Sequence, residues 1–267
     1  MAFTGTVPAI DYVAPLYGIE QGSTVIHHGA DDEHWALGFE QENTLCGVVA
    51  QIWDFCDPNP TGSIGAASTE GRWEKVMPFM VTIDDPCVSP LAIREEGTQK
   101  RLLDLMDIVS LKGAERELMI GDFSTTSGYD QKFLQAGGVT SLGTGSPAAA
   151  LALVEDGLAN CLLGTRGVIH LTPSVAAHLG NQLDEVDGKL VTKAGSNVIV
   201  GAGYAGQGTP TIYGTGPVIL HLGPSKIVTD EMSEMFTRKN EFTLRAERPV
   251  AVTWDGCCLV KAAVTLT

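Results

Sequence analysis

Val198-Ile-Val-Gly201-Ala-Gly203-Tyr-Ala-Gly206 is the stretch of this chain most suggestive of chemistry. Three glycines at G-x-G-x-x-G spacing, directly after an apolar strand-like run, match the turn that sets a dinucleotide pyrophosphate on a helix N-terminus. That mechanism needs a helix to open at the glycines, and Gln207-Gly208-Thr209-Pro210 prevents one. The remainder of the chain is strand-rich and holds no second βαβ unit. The expectation is a glycine-rich loop at the rim of a domain, with no dinucleotide cofactor.

Other reactive residue types are present without a productive pattern. His27-His28 and Asp31-Asp32-Glu33-His34 bring imidazoles and carboxylates close in sequence, but at no spacing that a metal site uses. Cys46, Cys56, Cys87, Cys161, Cys257 and Cys258 form no C-x-x-C pair, and most lie in apolar runs. Buried free thiols are therefore expected in preference to a disulfide framework or a zinc site. His170 falls within the apolar run Val168-Ile-His-Leu and His178 on a helical stretch, so both read as structural. G-x-S-x-G, H-E-x-x-H and P-loop motifs are all lacking. No catalytic, cofactor-binding or metal-binding residue is expected, and the chain reads as a non-enzyme.

At 267 residues, with 44% hydrophobic and 18% charged residues, the chain can bury a sizeable core as one large domain or two modest ones. Seventeen Lys and Arg against 32 Asp and Glu give a net charge of −15, which opposes a grip on nucleic acid but permits lying near it. Neither a secretory leader nor an apolar run of about 20 residues, the length a membrane span requires, is visible. A cytoplasm-like compartment is expected until assembly.

These residues need elements to hold them. Glu241 to Gly256 alternates apolar and polar residues, with Phe242, Leu244 and Ala246 on one face, which predicts a long half-buried strand. Cys258 to Leu266 reads as a second closing strand. Upstream, residues 1–28 carry scattered glycines, prolines and apolar residues and read as an extended arm lying on another surface. Strand-like runs follow at His34–Glu40 and Thr44–Phe55. Asp57 to Arg72, polar and glycine-rich, separates two strand-like arms and predicts the tip of a protruding hairpin.

Ser89-Pro90 opens a long helix to about Gly121. Leu102, Met106, Val109, Leu105 and Leu118 supply its apolar stripe, and Glu115 is assigned to its outer face. Gly97 and Gly113 mark places where it could bend or break. Asp122 to Gly145 reads as loop. Ser146-Pro147 and Thr172-Pro173 open two further helices, the first with Leu151, Val154, Leu158 and Cys161 or Leu162 facing a core. Short strands are expected at 168–171, 189–192, 197–200, 211–213 and 217–223.

The order of parts resembles that of the Hong Kong 97-type major capsid proteins of tailed phages. The likeness is strongest from Ala148 to Thr267, through Ala150-Leu-Ala-Leu-Val-Glu-Asp-Gly-Leu, Gly167-Val-Ile-His-Leu-Thr-Pro-Ser and Phe242-Thr-Leu-Arg-Ala-Glu-Arg-Pro-Val-Ala-Val. The resemblance implies an α+β fold with an N-arm at 1–28, an E-loop at 48–80, a P domain at 29–47, 81–140 and 226–254 with a spine helix at about 90–120, and an A domain at 141–225 and 255–267. It implies self-assembly into pentamers and hexamers of an icosahedral shell in the host cytoplasm, enclosing double-stranded DNA without sequence-specific binding. Scaffolding, portal or decoration proteins are the other partners it suggests, and no membrane. The chain departs from the type in lacking a long N-terminal scaffolding segment. A nanocompartment shell protein, a decoration or tail protein, and a small NAD-dependent or hydrolytic enzyme are the alternatives to this reading.

Overall fold

The computed structural model describes residues 18–29, 32, 34–42, 50–53, 60–64, 73–88, 96–127, 133–204, 208–229, 242–256 and 258–266. Along the chain these are α1 (Ile19–Gly22), β1 (Thr24–His27), a 3₁₀ turn (His34–Leu37), β2 (Phe39–Glu42), β3 (Ala50–Trp53), β4 (Pro60–Ile64), β5 (Trp73–Val76) and β6 (Phe79–Val88). Then come α2 (Glu96–Ile120), α3 (Asp122–Ser127), β7 (Thr140–Gly145), α4 (Pro147–Cys161), β8 (Val168–Leu171) and α5 (Pro173–Leu179). The closing part holds β9 (Leu183–Val186), β10 (Lys189–Thr192), β11 (Asn197–Val200), β12 (Thr211–Thr215), β13 (Val218–Leu222), β14 (Lys226–Thr229), β15 (Phe242–Trp254) and β16 (Leu259–Val264).

The alternation in 242–254 builds β15, the strand on which the first sheet is assembled. β6 runs antiparallel along one edge of it. β14 and β13 lie end to end along the other, pairing Thr229 with Leu244 and Leu222 with Val250, and β1 adds parallel to β13. α2 packs on this sheet through Leu102, Met106 and Leu118, against Val81, Leu244, Ala246, Val250 and Val252. Burying each such side chain contributes about 1.5–3 kcal/mol.

A seven-stranded mixed sheet, ordered β7-β16-β12-β8-β11-β10-β9, forms the second body. Its core sets Ala150, Leu151, Val154 and Leu158 of α4 against Ile169, Leu171, Ile212, Val260 and Ala262. Ser146 accepts from the Ala149 amide and Thr172 from the Val175 amide, so these two predicted helix starts are capped as their sequences require; the third, Ser89-Pro90, lies outside the described residues. Asp187 and Gly188 take positive φ (52° and 74°) and join β9 to β10. Two short links connect the sheets, Gly216-Pro217 and Asp255 to Cys258. They touch one another, since the Asp255 amide donates to Pro217 O at 3.3 Å.

Several expectations change. His34–Leu37 is a 3₁₀ turn and not strand, because Trp35 turns inward and is buried there. Residues 18–28 are packed and not an arm: Ile19 is fully buried and β1 is paired. The rest of the expected arm, 1–17, lies outside the described residues. β4 falls inside the stretch assigned to a hairpin tip and pairs with β3; the rest of that stretch, 57–59 and 65–72, lies outside the described residues. α2 runs unbroken through Gly97 and Gly113. Asp122 to Gly145 contains α3 and β7. The boundary expected at 225/226 does not follow the sheets, since β13 pairs with β15 and so the change of sheet comes at Gly216-Pro217.

Candidate functional site

Glu115 is the polar centre of the molecule. The sequence placed it outside; the structure buries it to 2% exposure at the meeting point of α1, α2 and the glycine loop. Its Oε1 accepts the Ile19 amide at 2.9 Å and its Oε2 the Gly203 amide at 2.7 Å. Burial raises its pKa, and the amides of Gly203, Ile19 and Ala202 together with the Lys112 charge act against that rise.

The G-x-G loop thus grips a carboxylate of its own chain. Ala202–Tyr204 forms a 3₁₀ turn and not the start of a helix, as Pro210 and the polar residues before it require. Gly203 permits the approach: a Cβ there would come within 2.8 Å of Lys112 O and 2.9 Å of the Arg116 amide nitrogen. The signal for Glu115 was present in the helical phase. It lies four residues after Leu111 and three before Leu118, both buried.

Beside this centre lies an enclosed polar chain. Fully buried His170 has Tyr204 Oη 2.9 Å from Nδ1 and Thr215 Oγ1 2.9 Å from Nε2. Because the Thr215 hydroxyl donates to Gly216 O, its oxygen accepts from Nε2–H, and Nδ1 accepts from the tyrosine. Burial lowers the His170 pKa to about 3 and keeps it neutral. Burial, and after it the Glu115 charge, raises the Tyr204 pKa well above the usual value. His170 thus sits buried in its apolar strand, held between Tyr204 and Thr215. His178, at the surface, bonds back to Ser174 O of its own helix.

A third cluster seats the root of the hairpin. Trp35, Val76 and Ala251 form a small core with Phe39 against it, so the β2–β5 pair is held on β15. His28 stacks on Trp35 with centroids 4.2 Å apart and bridges Asp32 (2.8 Å) to His221 (3.1 Å). Burial, then the neighbouring His28, lowers the His221 pKa to about 4. Half-way along β15, buried Arg248 donates to Gly223 O (2.9 Å) and Asp107 Oδ1 (2.7 Å), tying the strand to α2.

These groups lock parts of the chain together. Among the described residues no group of three or more His, Cys, Asp or Glu could hold a metal ion, and no helix is long and apolar enough to cross a membrane. One pair qualifies the free-thiol expectation: Cys161 at the end of α4 and Cys258 before β16 lie side by side with Cα atoms 5.6 Å apart, a spacing that a disulfide spans. A sequence separation of 97 hid that pairing.

No family model and no curated protein sequence matches the chain. Solved structures match over nearly its whole length. The capsid of an empty GTA particle superposes with a TM-score of 0.59 at 12% identity, covering 98% of this chain and 95% of that one. The capsid of Myoviridae phage XM1 gives 0.54 at 12% identity, with 98% and 97% covered. A structure from Mycobacterium phage Cain gives 0.57 at 14% identity, with 95% and 92% covered. The chain has the Hong Kong 97-type capsid fold, α+β as expected.

Proposed function

We propose that this protein is the major capsid subunit of a tailed-phage-type particle. It assembles with copies of itself into pentamers and hexamers of an icosahedral shell around double-stranded DNA, in the cytoplasm of a host cell, and performs no catalysis. The observation that carries this reading is the coverage: capsid structures align with nearly all of this chain and nearly all of their own. The internal locks support it, because a subunit whose polar groups are spent on rigidity suits repeated flat contacts. The charge of −15 suits a wall that packaged DNA must slide past.

In this reading the segment before Gly18 is the N-arm, residues within 48–80 are the E-loop, and α2 is the spine helix. The β15 sheet belongs to the P domain and the seven-stranded sheet to the A domain. Many weak contacts repeated around a shell supply stability that no single interface needs to have.

Removing the outer β3–β4 pair, residues 50–64, tests the E-loop assignment. The expected product is a folded subunit or small capsomer by sedimentation, with no closed shells. Normal shells from this deletion would refute the assignment.

A further inference from the structure

An open cleft of about 300 Å³ lies where the two sheets meet. Ser23 and Thr24 line it from the β1 side, and Arg166, Lys189, Gly195 and Asn197 from the seven-stranded sheet. No carboxylate is among its described lining residues, although acidic residues outnumber basic ones in the chain by almost two to one. Arg166 and Lys189 make no ion pair among the described residues, whereas Arg116, Lys193, Arg245 and Arg248 all do.

Two details show that the cleft is built. The Arg166 guanidinium lies against the backbone of Gly195, where a Cβ would fall 3.1 Å from Cζ and 3.3 Å from Nε and Nη2. Gly195 has φ +92°, so this flat seat for the arginine depends on a residue without a side chain. Ser23 Oγ is buried and has no hydrogen-bond partner, an arrangement that normally costs free energy unless a ligand or water completes it. A planar cation and an ammonium on the rim of one polar cleft, with an unpartnered hydroxyl in its wall, are donor types that a carboxylate or phosphate group takes.

We propose that this cleft is an oxyanion-binding site at the junction of the two sheets, with Arg166 and Lys189 as its cationic ligands and Ser23 as a neutral donor. An anion held there bridges the β1 side to the seven-stranded sheet and stiffens the junction. The same chemistry is offered by a free inorganic anion and by an acidic side chain of a second copy of this chain.

The isolated subunit tests the site independently of whether shells form. Thermal unfolding in inorganic phosphate is compared with chloride at matched ionic strength, for the wild type and for an Arg166→Ala/Lys189→Ala double variant. The wild-type Tm is expected to climb with the logarithm of phosphate concentration. The double variant should keep the same Tm in chloride and bind phosphate at least tenfold more weakly. A direct phosphate titration of Ser23→Ala, which adds no bulk, should show binding several-fold weaker. No phosphate-specific rise in the wild type, or an equal rise in the double variant, would overturn the proposal. Repeating the titration on assembled particles separates the sources. Binding that persists identifies a free anion. Binding that disappears on assembly, with weaker assembly of the double variant, identifies a neighbour's carboxylate.

Discussion

Glu115 and His170 respond to pH in opposite directions. Burial raises the folded-state pKa of Glu115 above its ordinary value of 4.5, so its stabilising contribution is complete below that value and is lost as pH rises through the folded pKa. Glu115→Gln cannot ionise, so urea midpoints of wild type and variant should move in the variant's favour as pH rises from 4.5 toward neutrality. A constant difference would contradict the burial argument. Glu115→Ala leaves the Ile19 and Gly203 amides without an acceptor and should cost about 2–4 kcal/mol at pH 7. For His170 the folded pKa is depressed, to about 3, so its contribution is present above 6.5 and lost as pH falls toward 3. That loss reaches about 1.4 kcal/mol per pH unit. His170→Asn should flatten this acid limb while lowering stability at pH 8, and chemical denaturation between pH 4 and 8 reads both effects.

Among the elements, α2 offers a controlled comparison of its two glycines. Gly97 faces open space, so Gly97→Ala should stabilise by about 0.5–1 kcal/mol through helix propensity alone. At Gly113 the new Cβ would sit 3.2 Å from Val81 Cγ2, and the crowding should cancel that gain. Gly203→Ala meets backbone of α2 and should cost about 3 kcal/mol with no effect on nucleotide affinity, because the loop holds Glu115. Thermal melts of the three variants should rank them in that order. Elements whose periodicity is local were visible from sequence: β15 from its alternation, α4 and α5 from Ser-Pro and Thr-Pro caps followed by apolar stripes. What stayed hidden depends on long-range contact. The Glu115 clamp joins residues 96 and 88 positions apart, and the Cys161–Cys258 pair spans 97. His34–Leu37 reads as strand until Trp35 finds its pocket against Ala251 and Val76. Glu115 itself sat in the right helical phase to be seen as buried, but charge argued for the surface.

At the scale of the whole molecule, two helix-covered sheets are coupled by short touching links and by the Glu115 clamp, with a hairpin anchored at its root by Trp35. The central claim is that the chain closes into shells, and electron microscopy of the purified protein, with light scattering on the same fraction, tests it most directly. The account predicts uniform icosahedral particles with pentameric and hexameric units and, from infected or producing cells, nuclease-protected double-stranded DNA inside. A monodisperse monomer or dimer across salt and scaffold conditions would contradict it.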